Sequence, residues 1–460
     1  MKKVAIGGGQ GFWGDSPDAA IHMIRNADIQ YMGCDYLAEL TLSIMAKQQL
    51  KDPTKGFAPD FTTRILKEAG KEAWDKHIKI CTNAGGMNIN GCVDGIRQWA
   101  EGNSMSGYKI GYVTGDNIKD KIPQLLKDGW TFPNFDYDGN FNDILDKIYN
   151  CNVYIGHEGI EGCLAEGADV VITGRVADPA IFMAPAIYEL KSEFGGAADD
   201  WDNLARGIMA GHLLECGGQG AGGNYMYDWR NVPRMDELGF PIAELTDDTF
   251  EITKAPDCGG IICEQSCKEQ FLYEVHDPAN YLTPDVNVDI SHATITQVGD
   301  NRVRIGGVKG KPRPDTLKLC VGYHKGWKTV SMLSFAWPDA YEKAQYCAEV
   351  IMKKMQRRGM KADDIHISYI GLNSLHLGVA DMSEEALKNL NECVLRIAVF
   401  SEDKSECAKI IPEISPLQLN GPPGASFFGG RARVQEVMAL WPTTVPRDAV
   451  QVESHILEVK

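Results

Sequence analysis

The sequence predicts an α/β protein with a parallel-sheet N-terminal part and a second α/β part that carries a β-rich insertion. In the first part, short apolar runs rich in β-branched residues alternate with helical stretches, which is typical of a parallel sheet covered by helices on both faces. From about Ala197, strand-like segments with turns dominate, and the alternation returns near Asp339. We therefore predict one domain over residues 1–195 and another over 196–460, with the β-rich segment at about 240–335.

The N-terminal part has five strand candidates with helices between them. The predicted strands are Val4–Ile6, Ile78–Cys81, Tyr108–Val113, Val153–Ile155 and Val170–Thr173, and the predicted helices are Tyr36–Leu50, Thr62–Ala69, Ile89–Glu101 and Asp143–Tyr149. All five strands are expected to be parallel, so their carboxyl ends should meet at one edge of the sheet.

The second part begins with a helix and then becomes rich in strands. The predicted elements are a helix over Trp201–Leu214, strands over Phe250–Thr253, Thr294–Gln297, Arg302–Ile305 and Thr316–Tyr323, a helix over Tyr341–Arg357, a strand over Ile365–Ile370 and a helix over Glu384–Phe400. A glycine- and proline-rich loop, Gly421–Gly430, is expected to precede a final helix and strand.

Composition narrows the class of protein. The 460 residues carry a formal net charge of −17, which argues against nucleic-acid binding. No apolar run is long enough to cross a membrane, and the apolar segment after the basic start is too short for a signal peptide. The 13 scattered cysteines are an odd number, which favours reduced thiols. We therefore expect a cytoplasmic protein, with a homo-oligomer compatible with its size and acidic surface.

Glycine-rich turns follow the five predicted strands. Glycine lets a backbone approach a ligand closely, and each following helix start favours an anion. Together the turns predict one anion-binding edge, at the position where open α/β sheets bind ligands. The first turn gives neither GxGxxG in register nor the Lys-Ser/Thr of a P-loop, so no nucleotide fingerprint is predicted. The substrate-binding candidates in the first two turns are Gly8, Gly9, Gln10, Asn83, Gly85 and Gly86.

A second glycine cluster, GHLLECGGQGAGGNY, ends the helix predicted over Trp201–Leu214. Helical spacing places His212 and Glu215 on one face. Glu215 is a candidate general acid or base, Cys216 a candidate nucleophile and Gln219 a candidate substrate ligand. The alternative is a helix end with a structural glutamate and an inert buried thiol.

Two further turns carry charged residues. In GRVADPA, Arg175 is a candidate for gripping a carboxylate or phosphate together with Asp178, although the two could equally form a structural pair. In the neighbouring turn, His157 and Glu158 are candidates for acid–base catalysis or for binding a divalent metal such as Mg²⁺. The cofactor therefore stays open at this point.

The order of the motifs carries a resemblance to a known family. The segments GGGQGFWGDS, CDYLAE, TNAGGMN, GADVVITGRVAD, AGHLLECGGQGAGGNY, PIAEL, KAPDCGG, YEVHDPANYLTPDV and GPPGASFFGGRAR resemble, in this order, those of the acyclic terpene utilisation family, the AtuA-like proteins. His157 and Glu158 replace the glycine and small residue usual in the family. That change suggests a substrate other than the terpenoid one that named the family.

The resemblance implies a role in catabolism of branched acyl compounds, often as CoA thioesters. We expect a lyase, hydratase or isomerase that moves a proton next to the carbonyl of a branched or dicarboxylic acid or its thioester. The alternative is a non-catalytic acyl-CoA-binding subunit. Longer family members carry a small ferredoxin-like C-terminal domain, so we also expect a separate small subunit in its place. A nucleotide-dependent ligase is a weaker third hypothesis, because the phosphate motifs are absent.

Overall fold

The computed structural model describes residues 3–190, 200–246 and 249–460. The chain divides into two compact units. Unit 1 comprises Met1–Gly322 and Leu440–Lys460, and unit 2 comprises Tyr323–Ala439. The domain boundary predicted between residues 195 and 196 lies outside the described residues and stays a prediction.

The strands are as follows in chain order. They are β1 (Val4–Gln10), β2 (Tyr31–Cys34), β3 (Lys79–Thr82), β4 (Lys109–Thr114), β5 (Ile148–Val153), β6 (Val170–Ile172), β7 (Pro241–Leu245), β8 (Phe250–Lys254), β9 (Tyr281–Leu282), β10 (Asn287–Asp289), β11 (Thr294–Gly299), β12 (Arg302–Gly306), β13 (Lys309–Lys311), β14 (Thr316–Ala336), β15 (Asp364–Ile370), β16 (Glu392–Ser401), β17 (Ser426–Phe427), β18 (Val434–Pro446) and β19 (Glu453–Glu458).

The helices are listed in the same way. They are α1 (Asp18–Asn26), α2 (Glu39–Lys51), α3 (Lys71–Asp75), α4 (Ile89–Gly102), α5 (Ile122–Lys127), α6 (Glu158–Ala165), α7 (Ala180–Leu190), α8 (Trp201–His212), α9 (Glu264–Leu272), α10 (Ala340–Arg357), α11 (Glu384–Lys388), α12 (Lys404–Ala408), α13 (Ile411–Ile414) and α14 (Leu417–Asn420). A wider helical segment, Phe61–Gly70, leads into α3, and short 3₁₀ segments lie at Lys119–Lys121, Phe141–Lys147, Gly217–Ala221, Trp229–Asn231, Met235–Glu237, Leu377–Val379 and Arg447–Ala449.

Unit 1 is built on a mixed sheet in the order β11-β12-β8-β7-β1-β2-β3-β6-β4-β19. The central strands β1, β2, β3, β6 and β4 are parallel, and β7 and β19 extend the sheet antiparallel on its two sides. Buried residues of α1, α2 and α4 pack with those of the parallel strands in one core. The predicted parallel sheet and the β-rich second part are therefore both confirmed.

Two details of the predicted sheet are wrong. The segment Tyr31–Cys34 forms β2 at the sheet centre, although its four residues, which include a glycine, give no strand pattern. The predicted strand Val153–Ile155 is not in this sheet, because β5 ends at Val153 and pairs with β14. Beyond β5, Ile155 makes only an isolated parallel bridge to Val176.

The first glycine run also differs from the prediction. It continues β1 as far as Gln10 and is not a turn. The glycines are needed because neighbouring chain segments pass very close. A Cβ at Gly8 would lie 3.0 Å from the Leu214 carbonyl oxygen, and one at Gly9 would lie 2.6 Å from Cys34 Sγ. Here glycine permits close packing within the protein.

Unit 2 contains an antiparallel sheet in the order β15-β16-β14-β17. Buried residues of α10 pack against it in a second core. The helix predicted over Glu384–Phe400 is wrong beyond Lys388, where α11 ends and β16 follows. Burial alternates along the later part of β16, whose residues include several β-branched and aromatic side chains, so its pairing with two neighbouring strands decides the structure. The predicted final helix is likewise wrong, since β18 occupies that region.

None of the helices in the described part of the chain is both long and apolar enough to cross a membrane.

Candidate functional site

Polar residues that follow four parallel strands form two hydrogen-bonded pairs at the carboxyl edge of the sheet in unit 1. Asp35 follows β2 and Asn83 follows β3, and Asn83 Nδ2 donates to Asp35 Oδ1 at 2.5 Å. Asp116 follows β4, and its Oδ2 accepts the backbone N–H of Arg175, which follows β6, at 2.8 Å. The sheet thus fixes the positions of these loops through side-chain contacts.

Arg175 is the central cation of this edge, and it is only 1% exposed. Its guanidinium lies 4.1 Å from the centre of the Tyr154 ring and donates to the Leu37 carbonyl and to Asp178. Burial lowers the pKa of Arg175, but Asp178 and Tyr154 outweigh burial and raise it overall. Arg175 therefore stays charged and holds Asp178 in place.

A cavity of about 330 Å³ opens beside this pair, within the size range of small-molecule sites. Its wall combines carboxyl groups, one lysine and apolar side chains. The lining residues that bear on the chemistry are Glu39, Tyr154, Asp178, Glu215, Glu274, Tyr281, Leu282, Leu317 and Lys318.

Glu215 is the buried carboxyl of this wall, at 5% exposure. Its Oε1 lies 2.9 Å from Nδ1 of His212, and its Oε2 has no hydrogen-bond partner among the described residues. Burial raises the pKa of Glu215 well above its ordinary value, and the charges of Asp178 and Glu274 act in the same direction. Burial also lowers the pKa of His212 to about 4. His212 is therefore uncharged at neutral pH, and burial favours the protonated form of Glu215.

Glu39, on the same cavity wall, is a carboxyl whose pKa shifts in the opposite direction to that of Glu215. Lys318 Nζ donates to its Oε1 at 3.1 Å, and the Tyr154 hydroxyl donates to the same oxygen. Burial raises the pKa of Glu39, but Lys318 and Arg175 outweigh burial and lower it to about 2. The cavity wall therefore holds a carboxylate paired with an ammonium group, and a second carboxyl whose protonated form is favoured by burial.

His157 and Glu158 do not line this cavity. His157 Nδ1 lies 2.8 Å from Oδ1 of the buried Asp285, and the His157 backbone N–H donates to the same oxygen. Glu158 is exposed and forms an ion pair with Arg313 at 2.7 Å. The two neighbouring residues thus have separate partners, and their predicted catalytic roles stay predictions.

The His157–Asp285 pair predicts a pH dependence of stability. Burial lowers the pKa of His157, but Asp285, with a smaller contribution from Glu161, outweighs burial and raises it to about 10. Because this value is above the ordinary one near 6.5, the pair should stabilise the fold fully below about pH 6.5 and lose this contribution as the pH rises through about 10. Urea unfolding of the wild type and His157→Gln should therefore show a stability difference that shrinks over this range. A difference independent of pH would contradict the assignment.

The substrate-binding candidates at the ends of the first predicted strands contact other parts of the protein and do not line the cavity. Gly8, Gly9 and Gln10 lie in β1, and Gln10 Nε2 donates to the Ser16 carbonyl at 3.0 Å. Asn83 accepts the backbone N–H of Tyr36 in addition to its bond with Asp35. A Cβ at Gly85 would meet the Thr173 carbonyl oxygen, and one at Gly86 would meet Met45 Sδ. These residues shape the loops around the cavity without lining it.

The candidates that follow Glu215 are also outside the cavity lining. Burial raises the pKa of the Cys216 thiol, and the neighbouring Glu215 raises it further, so a thiolate is disfavoured at neutral pH. Gln219 Nε2 donates to Gln270 Oε1 at 2.8 Å. Within the described ranges, no group of three or more His, Cys, Asp or Glu side chains is arranged to hold a metal ion.

Several cavity residues have no signal in the sequence. Tyr154 lies just past β5, Lys318 lies in β14, Glu274 follows α9 and Tyr281 begins β9. A lysine within a strand and a tyrosine after one are common in any sheet protein. Only the three-dimensional structure brings them to Asp178 and Glu215.

Comparison with known proteins identifies the family of the chain. The model of the family described as acyclic terpene utilisation family protein AtuA matches residues 4–456. No curated protein and no solved structure matches the chain.

Proposed function

This chain belongs to the acyclic terpene utilisation family, and from that premise we propose that it is a catabolic enzyme of the lyase, hydratase or isomerase type. Its reaction moves a proton next to the carbonyl of a branched or dicarboxylic acid or of the corresponding CoA thioester. The substrate occupies the cavity beside Asp178 and Glu215.

The observation that carries this proposal is the pair of carboxyl groups whose pKa values shift in opposite directions. The pKa of Glu215 is raised well above its ordinary value, whereas that of Glu39 is lowered to about 2. A protonated and an ionised carboxyl in one cavity are a recurrent arrangement for acid–base catalysis. The Oε2 of Glu215, which has no hydrogen-bond partner within the described ranges, can bond with a substrate.

The remaining residues of the wall have complementary roles in this proposal. Lys318 binds the carbonyl or carboxylate oxygen of the substrate and stabilises negative charge that develops there. Glu215 exchanges the proton with the substrate. Leu282 and Leu317 contact the alkyl part. Arg175, predicted to bind substrate directly, acts through Asp178 and Tyr154 instead.

The charges of the wall are compatible with an acid of low charge. Asp178 is paired with Arg175 and Glu39 with Lys318, while burial favours the protonated form of Glu215. The pairs leave no large positive field that would favour a multiply charged anion. We therefore place the acyl part in the cavity, with the nucleotide of any thioester outside it.

A ligand panel tests the proposal. Thermal unfolding is measured with CoA, branched acyl-CoAs, free mono-, di- and tricarboxylates and nucleotides, each with and without Mg²⁺. A ligand at about 100 times its Kd should stabilise the fold by about 2.7 kcal/mol. We expect stabilisation by a branched acid or its thioester, followed by turnover of that compound in a direct assay. Stabilisation by nucleotides alone would contradict the proposal.

The burial of Glu215 favours one alternative. A carboxyl that is only 5% exposed can also serve to pack a helix end. The chain would then be a non-catalytic acyl-CoA-binding subunit, completed by a small partner of ferredoxin-like fold. Stabilisation by acyl-CoA without turnover, and turnover on addition of such a partner, would support this alternative.

A further inference from the structure

Residues 440–447 help to build the cavity of unit 1, although they follow unit 2 in the chain. Thr444 lines the cavity directly. The Pro442 carbonyl accepts the backbone N–H of Phe135 at 3.1 Å, and Phe135 is itself part of the lining. This segment therefore supplies one part of the wall and supports another.

Arg447 ends this segment and joins two loops that both line the cavity. One loop is the turn between β9 and β10, with Pro284, and the other follows β13, with Pro314. Nη2 of Arg447 donates to the carbonyl oxygen of Pro284 at 2.6 Å and to that of Pro314 at 2.9 Å. Nε donates to the carbonyl oxygen of Pro314 at 3.0 Å, and the backbone N–H of Arg447 donates to the backbone carbonyl oxygen of Asp315 at 3.0 Å.

The turn that contains Pro284 also makes hydrogen bonds to a second part of the protein. Asp285, the next residue, accepts two hydrogen bonds from His157, one from the backbone and one from the ring. Thr283 and Val286 close the turn by bonding each other. The strands next to these loops, β10 and β13, already pair with each other, and Arg447 adds the hydrogen bonds that join the Pro284 and Pro314 carbonyl groups themselves.

We propose that Arg447 is a positioning residue that fixes the spacing of the two proline loops and thereby the shape of the cavity. A guanidinium suits this task because its planar fork can donate to two carbonyl groups at once. An ammonium group at the same place lacks that fixed geometry. The role as a substrate-positioning residue rests on the proposed function, whereas the joining of the loops does not.

Hydrogen–deuterium exchange of the unliganded full-length protein tests the loop contact. In Arg447→Ala, we expect exchange of the Thr283 and Val286 amides to accelerate by about tenfold or more, because the turn opens locally. Exchange in β15 and β16 of unit 2 should stay unchanged. Arg304→Ala is the matched control, because Arg304 is an exposed arginine whose partner is Glu251. It should leave the turn unchanged.

Chemical rescue separates positioning from general loss of structure. Guanidinium chloride at low millimolar concentration should restore slow exchange in Arg447→Ala, whereas methylammonium chloride should not. Arg447→Lys should exchange faster than the wild type. Unchanged exchange in Arg447→Ala, an increase that extends to unit 2, or equal rescue by both salts would overturn the proposal.

Steady-state kinetics test the consequence for the site. The substrate is the acid of the ligand panel that the wild type turns over. Arg447→Ala should raise KM with little change in kcat, because the reacting groups stay in place. A fall in kcat at unchanged KM would overturn the positioning role. If the wild type turns over no panel compound, the proposed function fails while the exchange experiment still decides the loop contact.

Discussion

Replacing Glu215 by glutamine should abolish most turnover and leave the fold intact. The amide has nearly the size of the protonated carboxyl, and both are uncharged, so burial costs of the two side chains are similar. The amide cannot exchange a proton with a substrate. Loss of a positioned acid or base lowers the rate by about 10²- to 10⁴-fold, and we expect a fall in kcat of that order. Ligand affinity, measured by thermal stabilisation, should change little.

The control for Glu215→Gln is Glu166→Gln, an exposed glutamate at the end of α6. This variant should retain the turnover and the stability of the wild type. Wild-type turnover in Glu215→Gln would remove Glu215 from the mechanism. Loss of ligand affinity in Glu215→Gln, with no measurable turnover in the wild type or in this variant, would instead favour the non-catalytic subunit.

Replacing Gly211 by alanine should destabilise unit 1 and distort the site. Gly211 lies in α8, where a Cβ would come within 2.4 Å of the Pro179 carbonyl oxygen and 2.9 Å of its Cα. These are backbone atoms next to Asp178, so the clash can be relieved only by moving the helix or the cavity wall. Overpacking of this kind costs about 1–3 kcal/mol. Chemical denaturation should show that loss, together with weaker ligand stabilisation.

Gly95→Ala is the matched control for Gly211→Ala. Gly95 also lies within a helix, α4, but the nearest atom to its Cβ would be Thr62 Oγ1 at 3.8 Å. Alanine should therefore be neutral or stabilise by up to about 1 kcal/mol, as expected for a helix interior. Equal effects of both substitutions on stability would show that the contact with Pro179 is not the cause.

The parallel strands β1, β3, β4 and β6 were predictable because each contains a short run of apolar residues. The strand β2 was not, because burial of Tyr31–Cys34 depends on neighbours on both sides and leaves no alternation. The segment of β16 was assigned to a helix because strong helix-forming residues precede it. Its two strand partners, which the local sequence does not reveal, decide its conformation.

The cavity was predictable only in part. Asp178 and Glu215 follow from their positions after a strand and at a helix end, where glycines mark close approaches of the chain. Lys318 could not be predicted, because it is 279 residues from its partner Glu39. The sequence predicts a ligand-binding turn at the glycines that lie in β1, because glycine serves tight packing and ligand approach equally well. Their local sequence does not separate the two uses.

The division of the chain also bears on the order of events during synthesis. The strand β4 is made early, yet its outer neighbour β19 is separated from it by the whole of unit 2. On the ribosome, unit 2 is therefore complete before the sheet of unit 1 can acquire its last strand. Until residue 458 emerges, β4 presents an open edge, which is a hazard for aggregation. Completion of the sheet of unit 1 is thus a late event in the synthesis of the chain.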